Sequence, residues 1–348
     1  MSRTSTEERP RVDVVGTRAD GRAALYEATF RSLQAEPKEL PAVWLYDERG
    51  SRLYEEITRL PAYYLPRRES EVLRARAQEI ARRTKATTLA ELGAGSANNT
   101  RLLLDALGAA GALERFVPLD VSGKTLQASA ETIAAAYPRI AVQAIVGDFE
   151  HDLGLLPRGG RRLIAFLGST IGNLYPDQRA RLLGALADEL SPGDSLLVGI
   201  DLVKDSARLE AAYNDPGGVT EAFVRNVLTA ANRELEATFD QRQFAYVARW
   251  DPANEWMDIG FRARETHTVS VRQLGLELEF EEAEPLRVEI SSKFRRERFE
   301  REVARAGLAV ASWWTDRAGD FAVALVLPTS TRSRTRFHRP REQSAARS

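Results

Sequence analysis

Three short stretches of the chain carry residue types suited to holding a nucleotide-like molecule. Glu91-Leu-Gly93-Ala-Gly95 follows the apolar run "TTLAEL" (87–92). Glycines at a strand end let the backbone turn sharply and approach a ligand with no Cβ in the way. "RFVPLDV" (115–121) presents Asp120, a carboxylate that can accept from two ribose hydroxyls. "IAVQAIV" (140–146) runs into "GDFE", where Asp148 can accept from an exocyclic amine and Phe149 can lie against adenine. Each has a plainer account: a tight turn, an N-cap for a helix after Ser122, and a turn beside a core phenylalanine. Their recurrence at three successive strand ends favours a nucleotide site. Asn98 stands where the dinucleotide fingerprint needs its third glycine, which counts against a nicotinamide cofactor.

A fourth stretch, "FLGSTIGNLYP" (166–176), has a different character. The apolar run Leu163–Leu167 stops, and Gly168, Ser169, Thr170, Gly172 and Asn173 follow before a helix starting near Pro176. Small polar residues beyond a buried strand let a ligand come close to the backbone. The Asn173 amide can accept from an amine and donate to a carboxylate.

Composition removes other chemistries. The chain of 348 residues has no cysteine, so disulfides, thiolate metal sites and cysteine nucleophiles are excluded. His151, His267 and His338 are far apart and lack ligand spacing, so no metal is expected. A formal net charge of −1 gives no global field for nucleic acid or an anionic membrane. No apolar run reaches spanning length, and the polar start does not read as a secretory signal. A cytoplasmic monomer acting on a small molecule is expected.

The elements that position these residues follow from periodicity. From 67 to 202, short apolar strands (87–92, 115–121, 140–146, 162–167, 195–201) alternate with helices (98–110, 123–136, 177–190). That rhythm predicts an α/β fold, a Rossmann-like doubly wound sheet with ligands beyond the carboxyl ends of its strands. From 203 to 290 the pattern changes to two helical stretches, then alternating segments such as "QFAYVARW", "WMDIGFRAR" and "HTVSVRQL" that suggest antiparallel strands. A helix near 294–306 and the pair "AVASWWTD" and "FAVALVLP" return to the first sheet. The expected division is a doubly wound sheet domain at 67–202 and 291–328. A discontinuous α+β second domain takes 13–66 and 203–290, with 1–12 and 329–348 disordered.

Four collinear stretches carry a resemblance: "YDERGSRLYEEITRLPAYYLPRRE" (46–69), "LAELGAGSANNTRLLLDAL" (89–107), "FLGSTIGNLYP" and "YNDPGGVTEAFVRNVL" (213–228). Together they resemble the histidine-specific N-alpha-methyltransferases of ergothioneine biosynthesis, class I enzymes that use S-adenosylmethionine. The resemblance spans about residues 20 to 328. It implies three methyl transfers to the α-amine of histidine, giving hercynine, with no metal. It places cofactor contacts at Gly93, Gly95, Asn99, Asp120, Asp148 and Phe149. It places substrate contacts at Tyr63, Asn173, Tyr213, Glu289 and Ser291, with Tyr46, Gly168, Thr170 and Ile259 close by. Asn173 and Tyr213 would hold the α-amine and carboxylate, and Tyr63, Glu289 and Ser291 the imidazole.

Two positions depart from actinobacterial members of that family, which carry lysine where this chain has Asn99 and methionine where it has Ile259. The rival readings are an N-methyltransferase for another aromatic amino acid or alkaloid, a nicotinamide-dependent dehydrogenase, and a protein that binds S-adenosylmethionine without turnover. Glu289 argues against an indole, which has one N–H and no basic nitrogen.

Overall fold

The computed structural model describes residues 12–16, 18–95 and 99–329. The expected disorder of 1–11 and 330–348 concerns residues outside that description.

The chain enters through a short strand, β1 (Val12–Val15), and a helix, α1 (Arg18–Leu33). A two-residue strand β2 (Lys38–Glu39) and helices α2 (Glu48–Ile57) and α3 (Leu65–Thr84) follow. Strands β3 (Thr88–Leu92), β4 (Arg115–Asp120) and β5 (Ala141–Val146) then alternate with α4 (Thr100–Ala109) and α5 (Gly123–Ala136). β6 (Arg162–Phe166), α6 (Pro176–Glu189) and β7 (Ser195–Asp201) complete the repeat. Helices α7 (Ser206–Tyr213) and α8 (Val219–Glu234) lead to the long strands β8 (Phe244–Asp251) and β9 (Trp256–Ala263), a hairpin β10 (His267–Val271) and β11 (Leu276–Phe280), and β12 (Pro285–Ser292). Helix α9 (Arg296–Arg305) and the antiparallel pair β13 (Leu308–Thr315) and β14 (Phe321–Pro328) close the chain.

Eight strands form one sheet in the order β1-β5-β4-β3-β6-β7-β14-β13. The first six run parallel, and β14 lies antiparallel to both β7 and β13. Every residue of β3, β6 and β7 is buried. Alternate residues feed different cores, because successive side chains point to opposite faces. Leu89, Leu163 and Leu197 join the cluster that includes Leu73 and Ile80 of α3. Ala90, Ile164 and Val198 join the one that includes Leu183 of α6 and Phe299 of α9. The strand order reverses at β3, whose neighbours are β4 and β6. Crevices beyond the carboxyl ends at such a reversal are where open α/β sheets bind ligands.

A second sheet has the order β2-β12-β9-β8, with the β10–β11 hairpin separate. It is antiparallel except where β2 joins β12.

Three segments differ from the sequence expectation. Val12–Val15 pairs with β5 at the edge of the large sheet, although the sequence places Val12 in a disordered start and residues 13–66 in the second unit. Four residues are too few for periodicity to separate a strand from a loop. Ser291 and Ser292, assigned to the large-sheet domain, are the last residues of β12. Thr329, assigned to the tail, donates from its backbone to the Gly307 carbonyl at 3.0 Å.

The two sheets meet closely at one glycine. A Cβ on Gly172 would stand 2.8 Å from the carbonyl oxygen of Ser292. Gly172→Ala is therefore expected to cost about 1–3 kcal/mol, the usual range for overpacking. Denaturant unfolding measures it, and an unchanged midpoint would show that the seam yields.

Candidate active site

The loop after β6 turns through two left-handed residues, Gly168 at φ 69° and Ser169 at φ 60°. Glycine adopts that conformation freely, whereas a serine there is strained. Ser169 is held by its surroundings: it is buried, and its Oγ accepts from the Asp201 backbone N–H at 3.0 Å. A single 3-10 turn, Thr170–Asn173, follows and aims Asn173 across to the second sheet. There Asn173 Nδ2 donates to Glu289 Oε1 at 2.7 Å.

Glu289 lies on β12, opposite Ile259 of β9, just past an irregularity in register between Arg287 and Glu289. Residues two apart on a strand share a face, so Glu289, Ser291 and Lys293, the residue following β12, point the same way. Tyr213, the last residue of α7, hydrogen-bonds Ser291 Oγ through its hydroxyl at 2.9 Å. Its ring meets Tyr63 edge to face at 6.0 Å. Tyr46, Tyr54 and Phe223 form a second aromatic group, with ring centroids 5.7–6.0 Å apart.

These side chains line one common cavity. All nine residues expected to touch or flank the substrate line it: Tyr46, Tyr63, Gly168, Thr170, Asn173, Tyr213, Ile259, Glu289 and Ser291. Tyr54 and Phe223 also line it and were not singled out from the sequence, although both lie within the quoted stretches. Their signal was the cluster of aromatics. Burial raises the Glu289 carboxyl to about 7, and Lys293 pulls in the opposite direction.

The expected cofactor residues gather at the carboxyl ends of β3, β4 and β5. Gly93 and Gly95 take φ of 67° and 47°. The Gly95 N–H donates to Asp120 Oδ2 at 2.9 Å, and the Ser122 N–H to Oδ1 at 2.8 Å. Asp120 thus binds its own loop and keeps further lone pairs for a ligand. Asp148 is partly exposed; it accepts from the Glu150 N–H at 2.8 Å and lies 3.2 Å from the His151 ring. The ring of Phe149 packs on Phe166 at 5.0 Å. A Cβ on Gly93 would lie 3.8 Å from Thr170 and 3.9 Å from Phe149, so the two halves of the crevice adjoin.

Three carboxylates converge on this crevice. Asn99 Nδ2 donates to Glu69 Oε2 at 2.8 Å, and the Gly168 N–H donates to Glu69 Oε1 at 2.8 Å. Gly199 of β7 has no side chain where Glu69 sits, since a Cβ there would fall 2.0 Å from Oε1. Glu91 accepts from the Thr100 hydroxyl at 2.6 Å. Burial raises Glu69 to about 7 and Glu91 to about 8, and also raises Asp120. Among the described residues no ion pair joins any of the three to a cation. Such a donor set suits a ligand that carries positive charge. No group of acidic and histidine residues among those described could hold a metal, and no described helix is long and apolar enough to cross a membrane.

Comparison with known proteins identifies relatives over nearly the whole chain. The model of a family described as histidine-specific, S-adenosylmethionine-dependent methyltransferases matches residues 25–328. A histidine N-alpha-methyltransferase of Mycobacterium tuberculosis is 52% identical over 305 residues, covering 88% of this chain and 95% of that protein. Its counterpart in Mycolicibacterium smegmatis is 49% identical, covering 89% and 97%. Ergothioneine biosynthesis protein 1 of Neurospora crassa is 31% identical over 80% of this chain and 32% of its own length.

The raised carboxyls have a consequence for stability. Between the ordinary glutamate value of 4.5 and about 8, the folded protein keeps a proton on Glu91 that the unfolded chain has lost. Stability from this group is full below that window and falls as pH rises through it, by at most about 1.4 kcal/mol per pH unit. Thermal unfolding of ligand-free Glu91→Gln should lose less between pH 6 and 8 than the parent. Equal losses would remove Glu91 as the titrating group.

Proposed function

The chain belongs to the histidine-specific, S-adenosylmethionine-dependent methyltransferases, and on that footing we propose how its own residues carry out the reaction. It transfers three methyl groups to the α-amine of L-histidine, giving hercynine for ergothioneine biosynthesis. The observation that carries the residue assignment is the single cavity joining Asn173, Tyr213, Glu289 and Ser291 beside the crevice of Gly93, Asp120 and Phe149.

S-adenosylmethionine supplies an electrophilic methyl group on a sulfonium. In our reading Gly93, Gly95 and Asn99 border its amino acid end, Asp120 takes the ribose hydroxyls, and Asp148 and Phe149 take adenine. The converging Glu69, Glu91 and Asp120 favour a cation there, since burial without a counter-charge raises each carboxyl and an opposite charge relieves it.

At the other end, Asn173 and Tyr213 hold the α-amine and carboxylate of histidine. Asn173 spends one amide N–H on Glu289, which leaves its carbonyl oxygen free to accept from the amine. A small fraction of the α-amine is unprotonated at neutral pH and is already a nucleophile. Alignment can then supply most of the acceleration without a strong base. Each of the first two transfers leaves an ammonium that must lose a proton to water before the next. The third leaves a fixed cation, which the faces of Tyr46, Tyr54, Tyr63 and Phe223 suit.

Glu289 supplies selectivity by accepting from an imidazole N–H. A side chain with no donor would leave its second oxygen buried and without a partner. Ile259, opposite Glu289 on β9, sets the width of the cavity on that side. The architecture favours a division of labour between a large-sheet unit that holds the methyl donor and a second unit, with residues from 18–66 and 203–292, that holds the amino acid.

Mass spectrometry of the protein with S-adenosylmethionine and the twenty amino acids should yield trimethylated histidine and little else. Methylation of a different amino acid would overturn the specificity assignment. Glu289→Ala should weaken histidine binding about 10- to 100-fold, as for a lost charged hydrogen bond. S-adenosylhomocysteine should bind that variant within about twofold of the parent. Calorimetry separates the two, and unchanged histidine affinity would remove Glu289 from the imidazole site.

A further inference from the structure

Lys293 is among the most deeply buried charged residues of the chain, fully shielded from solvent at the end of β12. It touches the wall of the substrate cavity without lining it. Its ammonium has three hydrogens, and all three have acceptors. Nζ lies 2.8 Å from the Tyr213 hydroxyl, 2.8 Å from Ser291 Oγ and 2.9 Å from Asp201 Oδ2. Asp201, also fully buried, is held in turn by Lys204 and by the Tyr64 hydroxyl at 2.9 Å.

We propose that Lys293 is a positioning residue that fixes the hydrogen-bond polarity of the Tyr213–Ser291 hydroxyl pair. The reasoning is a count of hydrogens. Each of the two oxygens receives an N–H from Lys293. One O–H is spent between the hydroxyls, which lie 2.9 Å apart. That leaves one O–H, and the cavity is where both residues are exposed to a ligand. When Tyr213 donates to Ser291, Ser291 has both lone pairs engaged and can only donate to the ligand. The pair therefore offers a donor, while Glu289, two residues along the same strand face, offers an acceptor. A neutral imidazole, with one N–H and one bare nitrogen, matches that pattern. An imidazole protonated at both nitrogens does not. Without Lys293 either hydroxyl could rotate its hydrogen toward the vacated space and the polarity would no longer be set.

This inference rests on the proposal that Tyr213 and Ser291 touch histidine. If the parent protein binds no histidine, that proposal fails first. Given parental binding, Lys293→Met tests the positioning role. Methionine keeps most of the length and leaves Asp201 paired with Lys204. Histidine affinity by calorimetry should fall at least tenfold, with S-adenosylhomocysteine affinity within threefold. A double-mutant cycle with Tyr213→Phe gives the readout that a merely structural lysine would not move. The double variant should bind histidine little worse than the weaker single variant, because both act through one hydroxyl pair. Multiplying effects, or an unchanged affinity in Lys293→Met, would overturn the proposal. Should Lys293→Met not fold, the same cycle of Tyr213→Phe with Lys293→Gln carries the test. Coupling between those two is expected, and independent effects would refute a shared, fixed polarity.

Discussion

The ion pair of Lys293 with Asp201 joins the two sheets at the point where the substrate cavity begins. Asp201 is the last residue of β7, and Lys293 follows β12 directly. The backbone continues the joint: the Phe294 N–H donates to the Asp201 carbonyl at 2.9 Å, and the Val203 N–H to the Phe294 carbonyl at 3.1 Å. Ser169 closes it from the β6 loop by accepting the Asp201 N–H. Buried pairs of this kind are weak evidence for stability, because desolvation offsets most of their attraction, but removing one partner is costly. Their value here is geometric. Glu289 and Ser291 on β12, Tyr213 on α7 and Asn173 after β6 come from different elements, and the joint holds them in one register.

The two ends of the site treat buried charge in opposite ways. Beneath the substrate cavity, Asp201 is held below the ordinary carboxylate range, with burial opposed by Lys293 and Lys204. In the crevice beyond β3, β4 and β5, Glu69, Glu91 and Asp120 have neutral partners only, and burial raises all three. A finished ionic network needs nothing further, whereas an unfinished one favours a ligand that completes it. The contrast separates the part of the site that fixes shape from the part that responds to charge.

Much of this was legible in the sequence for simple reasons. Strands buried on both faces appear as apolar runs of five to seven residues, so β3 to β7 could be placed within a residue or two. The alternation in "RVEISSKF" (287–294) is that of a strand, and in β12 it puts Glu289 and Ser291 on one face. Lys293 was overlooked although it continues that same face, because an isolated lysine at a strand end usually reads as solvated. Only the three-dimensional meeting of β7 and β12 supplies its counter-charge. Helix α3 also escaped, since "LPRRESEVLRARAQEIARRT" is rich in charge and its apolar positions Val72, Leu73, Ala77 and Ile80 are sparse. Glu69 on that helix reads as one more surface charge until Gly199 is seen to make room for it.

Asn99 shows how one neutral residue changes the electrostatics around it. Its amide donates to Glu69 Oε2 and to the Pro66 carbonyl at 3.2 Å, so it ties the start of α4 to the start of α3. A lysine at that place could make the same tie and would also cancel the charge of Glu69. With asparagine the tie remains and the charge does not cancel. Glu69 then depends on two neutral donors, Asn99 and the Gly168 N–H, against full burial. Gly168 belongs to the loop that carries Thr170 and Asn173, so the ionisation of Glu69 is linked to a loop that lines the cavity. A cation arriving beside Glu69 would favour its charged form, strengthen its bond to Gly168 and firm the loop on the substrate side. Among the described residues no cation pairs with Glu69, so a counter-charge would have to come from a ligand, and the loop that carries Thr170 and Asn173 lies one hydrogen bond away from it.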